Sequence, residues 1–118
     1  MPRLDATEVT LAPRHLAALR DLLARHVPEA EVWAFGSRVG GQSHEGSDLD
    51  LVLRNAADPS LPVAGWAHLV EALQTSALPM GVEVHNWSQL PAAFQHEIER
   101  RYAAIQPAPM RQAADVRR

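Results

Sequence analysis

The chain has 118 residues, 47 % of them hydrophobic and 21 % charged, which bounds it to one soluble globular domain with a core and no room for a second. It has no cysteine, so a disulfide framework, a thiolate metal site and a cysteine nucleophile are all excluded. A net charge of -3 argues against general nucleic-acid binding, and the lack of a long apolar run or secretory leader makes the cytoplasm the expected location.

The first nine residues carry little signal. Thr10 is a plausible helix N-cap, with Pro13 tolerated in the first turn, where its missing N–H costs no bond. Leu16, Leu19, Leu22, Leu23 and Val27 then recur at helical spacing, and Pro28 ends the run. Val32, Trp33, Ala34 and Phe35 read as a short buried strand broken by Gly36. Residues 38–47 have three glycines and no periodicity, so they form a loop that begins at most with one helical turn. A second strand covers 48–53.

Residues 55–62 are turn chemistry, with Asp58 or Ser60 available as a cap. Val63, Trp66, Leu69, Val70 and Leu73 mark a second amphipathic helix, closed before Pro79. Residues 81–87 form a third strand, with Val82 and Val84 on one side and Glu83 and His85 on the other. Leu90, Phe94, Ile98, Tyr102 and Ile105 define a last helix. Residues 1–106 thus make the domain and 107–118, with two prolines and a basic polar end, a flexible tail. The expected fold is α+β (α/β-like): a small mixed sheet with helices packed on it.

Chemistry concentrates in residues 36–51, GSRVGGQSHEGSDLDL. In an extended strand side chains alternate, so Asp48 and Asp50 leave one face while Leu49 and Leu51 enter the core. Two carboxylates on one edge repel each other unless a cation lies between them, and a hard, oxygen-liking ion such as magnesium suits the place. The Gly36–Ser37 turn offers backbone N–H groups and a hydroxyl that suit a phosphate. An Asp-x-Asp pair alone is a weak signal, because exposed acids on strands are commonly just solvated. Here the turn follows one buried strand, the acids open the next, and Glu83 adds a third carboxylate from a further strand. Three such acids can hold two magnesium ions about 3.5–4 Å apart, clamping the attacking and leaving oxygens of an in-line displacement.

G-S-R-x-x-G followed by S-D-L-D-L resembles the signature of the DNA polymerase β-like nucleotidyltransferases, in their smallest form, the minimal nucleotidyltransferases. The resemblance runs from about Val9 to Ile105 and includes V-W-A-F-G-S-R and the later V-E-V-x-N-W. It implies a nucleotidyltransferase fold in which Gly36, Ser37, Arg38 and Ser47 bind the nucleotide and Asp48, Asp50 and Glu83 are both the catalytic acids and the metal ligands. It also implies that a hydroxyl attacks the α-phosphorus of a nucleoside triphosphate, ATP, with magnesium present and pyrophosphate leaving. Glu83 falls where the family usually has aspartate, and Asn86 where many members carry a further aspartate, so Asn86 reads as structural. Arg38 either pairs with phosphate oxygens or makes a helix-end contact at the surface.

Minimal nucleotidyltransferases are typically encoded beside a small helical HEPN protein. The resemblance therefore implies an antitoxin that transfers AMP to a hydroxyl, tyrosine in the first instance, of that partner within a hetero-oligomer. The alternatives are a subunit that neutralises its partner by binding alone, which the glutamate at position 83 keeps open, and an adenylyltransferase acting on a small molecule such as an aminoglycoside. Of the six histidines, His15, His26, His68 and His96 fall on helices without metal-ligand spacing, His44 lies in the loop, and only His85 shares a face with an acid. Trp33, Trp66 and Trp87 are expected to pack rather than stack on a base.

Overall fold

The computed structural model describes residues 3–4, 9–39 and 48–109. Its elements in chain order are β1 (Arg3–Leu4), α1 (Pro13–His26), β2 (Ala30–Phe35), β3 (Leu49–Asn55), α2 (Trp66–Gln74), β4 (Val82–Asn86), a single 3₁₀ turn (Trp87–Gln89), α3 (Ala92–Glu99) and β5 (Tyr102–Gln106). The strands form one mixed five-stranded sheet in the order β1-β5-β2-β3-β4. β2 runs antiparallel to β3 and β5, while β3 and β4 are parallel and are joined through α2.

The period-two alternation of the strands divides the sheet into two unlike faces. Val32 and Ala34 of β2, Leu49, Leu51 and Leu53 of β3, Val84 of β4 and Ala103 and Ile105 of β5 point to an aliphatic core closed by Leu19 and Leu23 of α1 and Leu69 and Leu73 of α2. Leu19, Leu23, Leu49, Leu51, Leu53 and Leu69 are fully buried. Each contributes roughly 1.5–3 kcal/mol by leaving water. The opposite face carries Trp33, Phe35, Val52 and Trp87, packed beneath Ile98 of α3.

Three local expectations change. Thr10 does not cap α1. The helix starts behind Ala12 with Pro13 in its first turn and no side-chain cap, whereas Thr10 is held by Arg38. α2 begins at Trp66 rather than Val63, and the Asp58 carboxylate accepts from the Ser60 N–H and hydroxyl in a local turn instead of capping the helix. The last predicted helix stops at Glu99, and Tyr102 to Gln106 is a strand.

Helical spacing of Tyr102 and Ile105 is real, but the same residues also alternate, and the vacant edge of β2 decides between the two readings. As a strand, the segment buries Ala103 and Ile105 in the aliphatic core and stacks the Tyr102 ring on Trp33, with centroids 3.8 Å apart. β1 adds two residues beside it, too few to leave a pattern in the sequence. The outer edge of β4 is covered rather than open. The Trp66 indole N–H donates to the Val84 carbonyl at 2.9 Å, and the buried Asn86 side chain accepts from the Val63 N–H at 2.8 Å, the structural role read for Asn86.

Candidate active site

β2 ends at Phe35, opposite Asp50, and the chain turns at once through Gly36. Gly36 has φ of 85°, a conformation that disfavours any residue with a Cβ, and a Cβ there would stand 2.5 Å from Asp50 Oδ2. Glycine is therefore required twice: for the turn, and for the carboxylate that lies against it. The turn closes with the Val39 N–H donating to the Gly36 carbonyl at 3.1 Å, leaving Gly36 and Ser37 exposed.

Arg38 points the other way. It is buried, with 6 % of its surface exposed, and its guanidinium donates to the Thr10 carbonyl at 2.6 Å while its own carbonyl accepts from the Thr10 N–H. Together with a bridge between Val9 and Val39, these bonds pin the turn to the segment entering α1. Arg38 thus holds the turn from behind.

β3 and β4 bring the acids together. Their parallel register sets Asp50 directly beside Glu83, and Val52 beside His85. A carboxylate oxygen of Asp50, one of Glu83 and a ring nitrogen of His85 all lie within 4.8 Å of one another, with His85 Nε2 3.8 Å from Glu83 Oε1. Burial, then repulsion from Glu83 and, more weakly, Asp48, push the Asp50 carboxyl above the usual carboxylate range, while His85 draws it back down. Like charges held at close quarters in a partly buried place fit a cation. Two carboxylates with an imidazole form a hard-to-intermediate donor set that suits magnesium or manganese.

Asp48 stands one residue before the strand expected to include it, close enough to Asp50 to repel its carboxylate. β3 begins at Leu49, whose N–H donates to the Gly81 carbonyl at 2.8 Å, so Asp48 sits just before the ladder and is exposed. It is outside the converging group of Asp50, Glu83 and His85. Its carboxylate lies against Gly81, where a Cβ would come within 2.7 Å of Oδ1. Gly81 and Gly36 thus play matched parts, each leaving space for one of the two aspartates. Gly81 went unnoticed in the sequence, where it reads only as the first residue of the third strand. Ser47 and His44 lie outside the described residues.

These groups line one end of a cavity of about 540 Å³ between the sheet and α3, which continues past His85 to Phe94, Glu97, Ile98 and Arg101. A glycine turn facing two adjacent strand acids, at the mouth of a cavity, is the arrangement that the sequence pattern predicts for nucleotide chemistry. The family model of the nucleotidyltransferase domain matches residues 16–103. The chain is also 33 % identical over 99 residues to the "Probable protein adenylyltransferase MntA" of Haemophilus influenzae, covering 84 % of this chain and 85 % of that protein.

The chain belongs to the nucleotidyltransferase family, in its minimal, MntA-like branch. As a nucleotidyltransferase it is a transferase whose donor is a nucleoside triphosphate. The matched region spans the Gly36 turn, both acidic strands and α3, so the whole cavity belongs to the family domain. No helix among the described residues is long and apolar enough to cross a membrane.

Proposed function

We propose that this nucleotidyltransferase moves AMP from ATP to a tyrosine hydroxyl of a helical HEPN-type partner, acting in the cytoplasm as the antitoxin of a toxin–antitoxin pair. The observation that carries the reading is the meeting of Asp50 and Glu83 in register beside the Gly36 turn, in a chain similar to a probable protein adenylyltransferase. Gly36 and Ser37 receive the triphosphate at the exposed turn, Ser47 serves as a further nucleotide-binding group, and Arg38 keeps that turn in place. Asp48, Asp50 and Glu83 hold magnesium, two ions when the site is filled. Bound magnesium supplies neutralisation of the phosphate charge and a lowered pKa for the acceptor hydroxyl.

Glu83 is the most exposed member of the acid pair, with 62 % of its side chain accessible, so it can meet an incoming hydroxyl. It takes the hydroxyl proton as the acceptor oxygen forms its bond to the α-phosphorus. The bond from the α-phosphorus to the oxygen bridging to the β-phosphate breaks, and pyrophosphate leaves with that electron pair. Glutamate serves here because its register opposite Asp50 brings its carboxylate into the group despite the extra methylene.

The test is to incubate the protein with its helical partner, ATP and magnesium, and weigh the partner by mass spectrometry. An AMP-sized gain that disappears with Asp48→Ala or Asp50→Ala is the expected result. A tight complex with no gain in mass favours neutralisation by binding alone, and turnover with an aminoglycoside in place of the partner favours a small-molecule enzyme.

A further inference from the structure

The cavity beside the acids is walled by rings. Phe35 and His85 lie 5.9 Å apart between centroids, Phe35 and Phe94 5.8 Å apart edge to face, and His85 and Phe94 6.2 Å apart at 90°. These spacings and angles are those of favourable aromatic packing, so the three rings hold one another in fixed orientations. Ile98, one turn beyond Phe94 on the same face of α3, is buried and closes the floor. Phe94 itself is 38 % exposed, an unusual outlay of apolar surface for a ring whose neighbours are packed. A ring laid in the cavity against these three side chains meets aromatic surface along one side and Asp50 with Glu83 at its end.

We propose that Phe35, His85 and Phe94 form the seat of the acceptor's aromatic ring, so that a phenolic side chain delivers its hydroxyl to Asp50 and Glu83. This inference rests on the reading of the site as a hydroxyl-directed transferase and adds the residues that select the acceptor. Of the groups assigned to the nucleotide, Gly36 borders the cavity beside Asp50 and Ser37 does not; from there the lining runs away from the turn through Glu83, the acid assigned to the hydroxyl proton, to His85, Phe94 and Arg101. The part of the cavity beyond Glu83 is therefore on the acceptor's side of the reacting centre. A ring also suits it energetically, because offset and edge-to-face contacts with Phe94 and Phe35 are available to a phenol and not to a serine or threonine.

The experiment uses the intact protein and N-acetyl-L-tyrosinamide as probe, followed by NMR on isotopically labelled protein. The probe is expected to shift signals of Phe35, His85 and Phe94, and N-acetyl-L-serinamide to leave them in place. Phe94→Ala should weaken probe binding about three- to tenfold, and Phe94→Leu, which keeps apolar volume and removes the ring, should weaken it by a similar factor. Affinity for ATP with manganese should stay as in the parent protein, and Phe94→Tyr should restore probe binding.

Probe binding that ignores both Phe94 substitutions overturns the seat, as does adenosine, rather than the tyrosinamide, shifting the three ring signals. Because binding is read without turnover, the two readings fail separately. A partner that gains no AMP while the probe still binds sinks the proposed transfer, whereas AMP transfer that is indifferent to Phe94 sinks the seat alone.

Discussion

The same face of the sheet carries two clusters of acids and aromatic rings, one at each end, and they are built to opposite ends. At the end away from the turn, Arg54 donates to Glu31 at 2.7 Å and lies 4.4 Å above the Trp33 ring and 4.9 Å from that of Trp87, while the Trp33 indole N–H donates to the other Glu31 oxygen. The acid there is answered from within the cluster, by a cation on the adjacent strand and by an indole. At the turn end, the residue beside Asp50 on the neighbouring strand is another acid, Glu83, and the rings stand around a cavity instead of filling it. A structural cluster satisfies its own charge; a catalytic one holds its charge ready for something from outside.

The largest test of this contrast is Asp50→Asn. Transfer should fall by about 10²–10³-fold, the scale on which a preorganised charge-stabilising group usually counts. The metal-free protein should nonetheless melt slightly higher, because one of two repelling carboxylates has gone. Partial exposure screens that repulsion, so the gain is a few tenths of a kcal/mol, about 1–3 °C. A lower melting temperature would mean that the acid pair stabilises the fold, and the contrast between the two ends would fail.

Arg54→Leu probes the other end. It leaves Glu31 half-buried without its cation and should cost roughly 1–2 kcal/mol of stability, read from denaturant melts. Manganese affinity measured below the melting transition should be unchanged. Gly81→Ala separates position from stability. Its backbone lies outside the positive-φ region, so alanine is conformationally tolerated and should raise stability by up to about 1 kcal/mol. The new Cβ must displace the Asp48 carboxylate, and manganese affinity should drop about tenfold. In an Asp48→Ala background the same substitution should do nothing further; an equal loss in both backgrounds would mark Gly81 as merely structural.

The smallest effect is in pH. The folded-state pKa of Asp50 is raised, so between the ordinary carboxylate value and that raised value the folded protein binds more protons than the unfolded one. Its contribution to stability is complete below the ordinary value and is lost as pH rises through the raised one. Metal-free protein should therefore show a shallow decline in melting temperature on going up through this weakly acid range, and Asp50→Asn should remove that component.

Much of this organisation was legible in the sequence, for reasons that vary by element. Leu49 and Leu51 around Asp50, and Val82 and Val84 around Glu83, alternate cleanly, so the strands and their acidic face follow from the pleat. The Gly36–Ser37 turn was readable because only a glycine makes that bend cheaply, and the family pattern tied turn and acids together. Tyr102 to Gln106 was misread because both periodicities fit its side chains, and only an unpaired neighbouring strand distinguishes them. The burial of Arg38 depends on Thr10, far away in sequence, and no local pattern announces it. His85 stood out in the sequence because it shares a strand face with Glu83, whereas Phe94 joined the site through the packing of α3 on the sheet, again a tertiary fact.

The parallel pairing of Asp50 and Glu83 has a consequence for how the protein comes into being. β2 and β3 are antiparallel neighbours in sequence, but β3 reaches β4 only through the α2 crossover. Closing that longer loop is slow relative to local pairing, because its entropy must be lost before the contacts form. A refolding chain would therefore own its glycine turn and Asp-Leu-Asp step before it owned an acid pair. Capture of manganese during refolding should lag the recovery of helical signal, which makes the ion a reporter of the docking of β4 on β3.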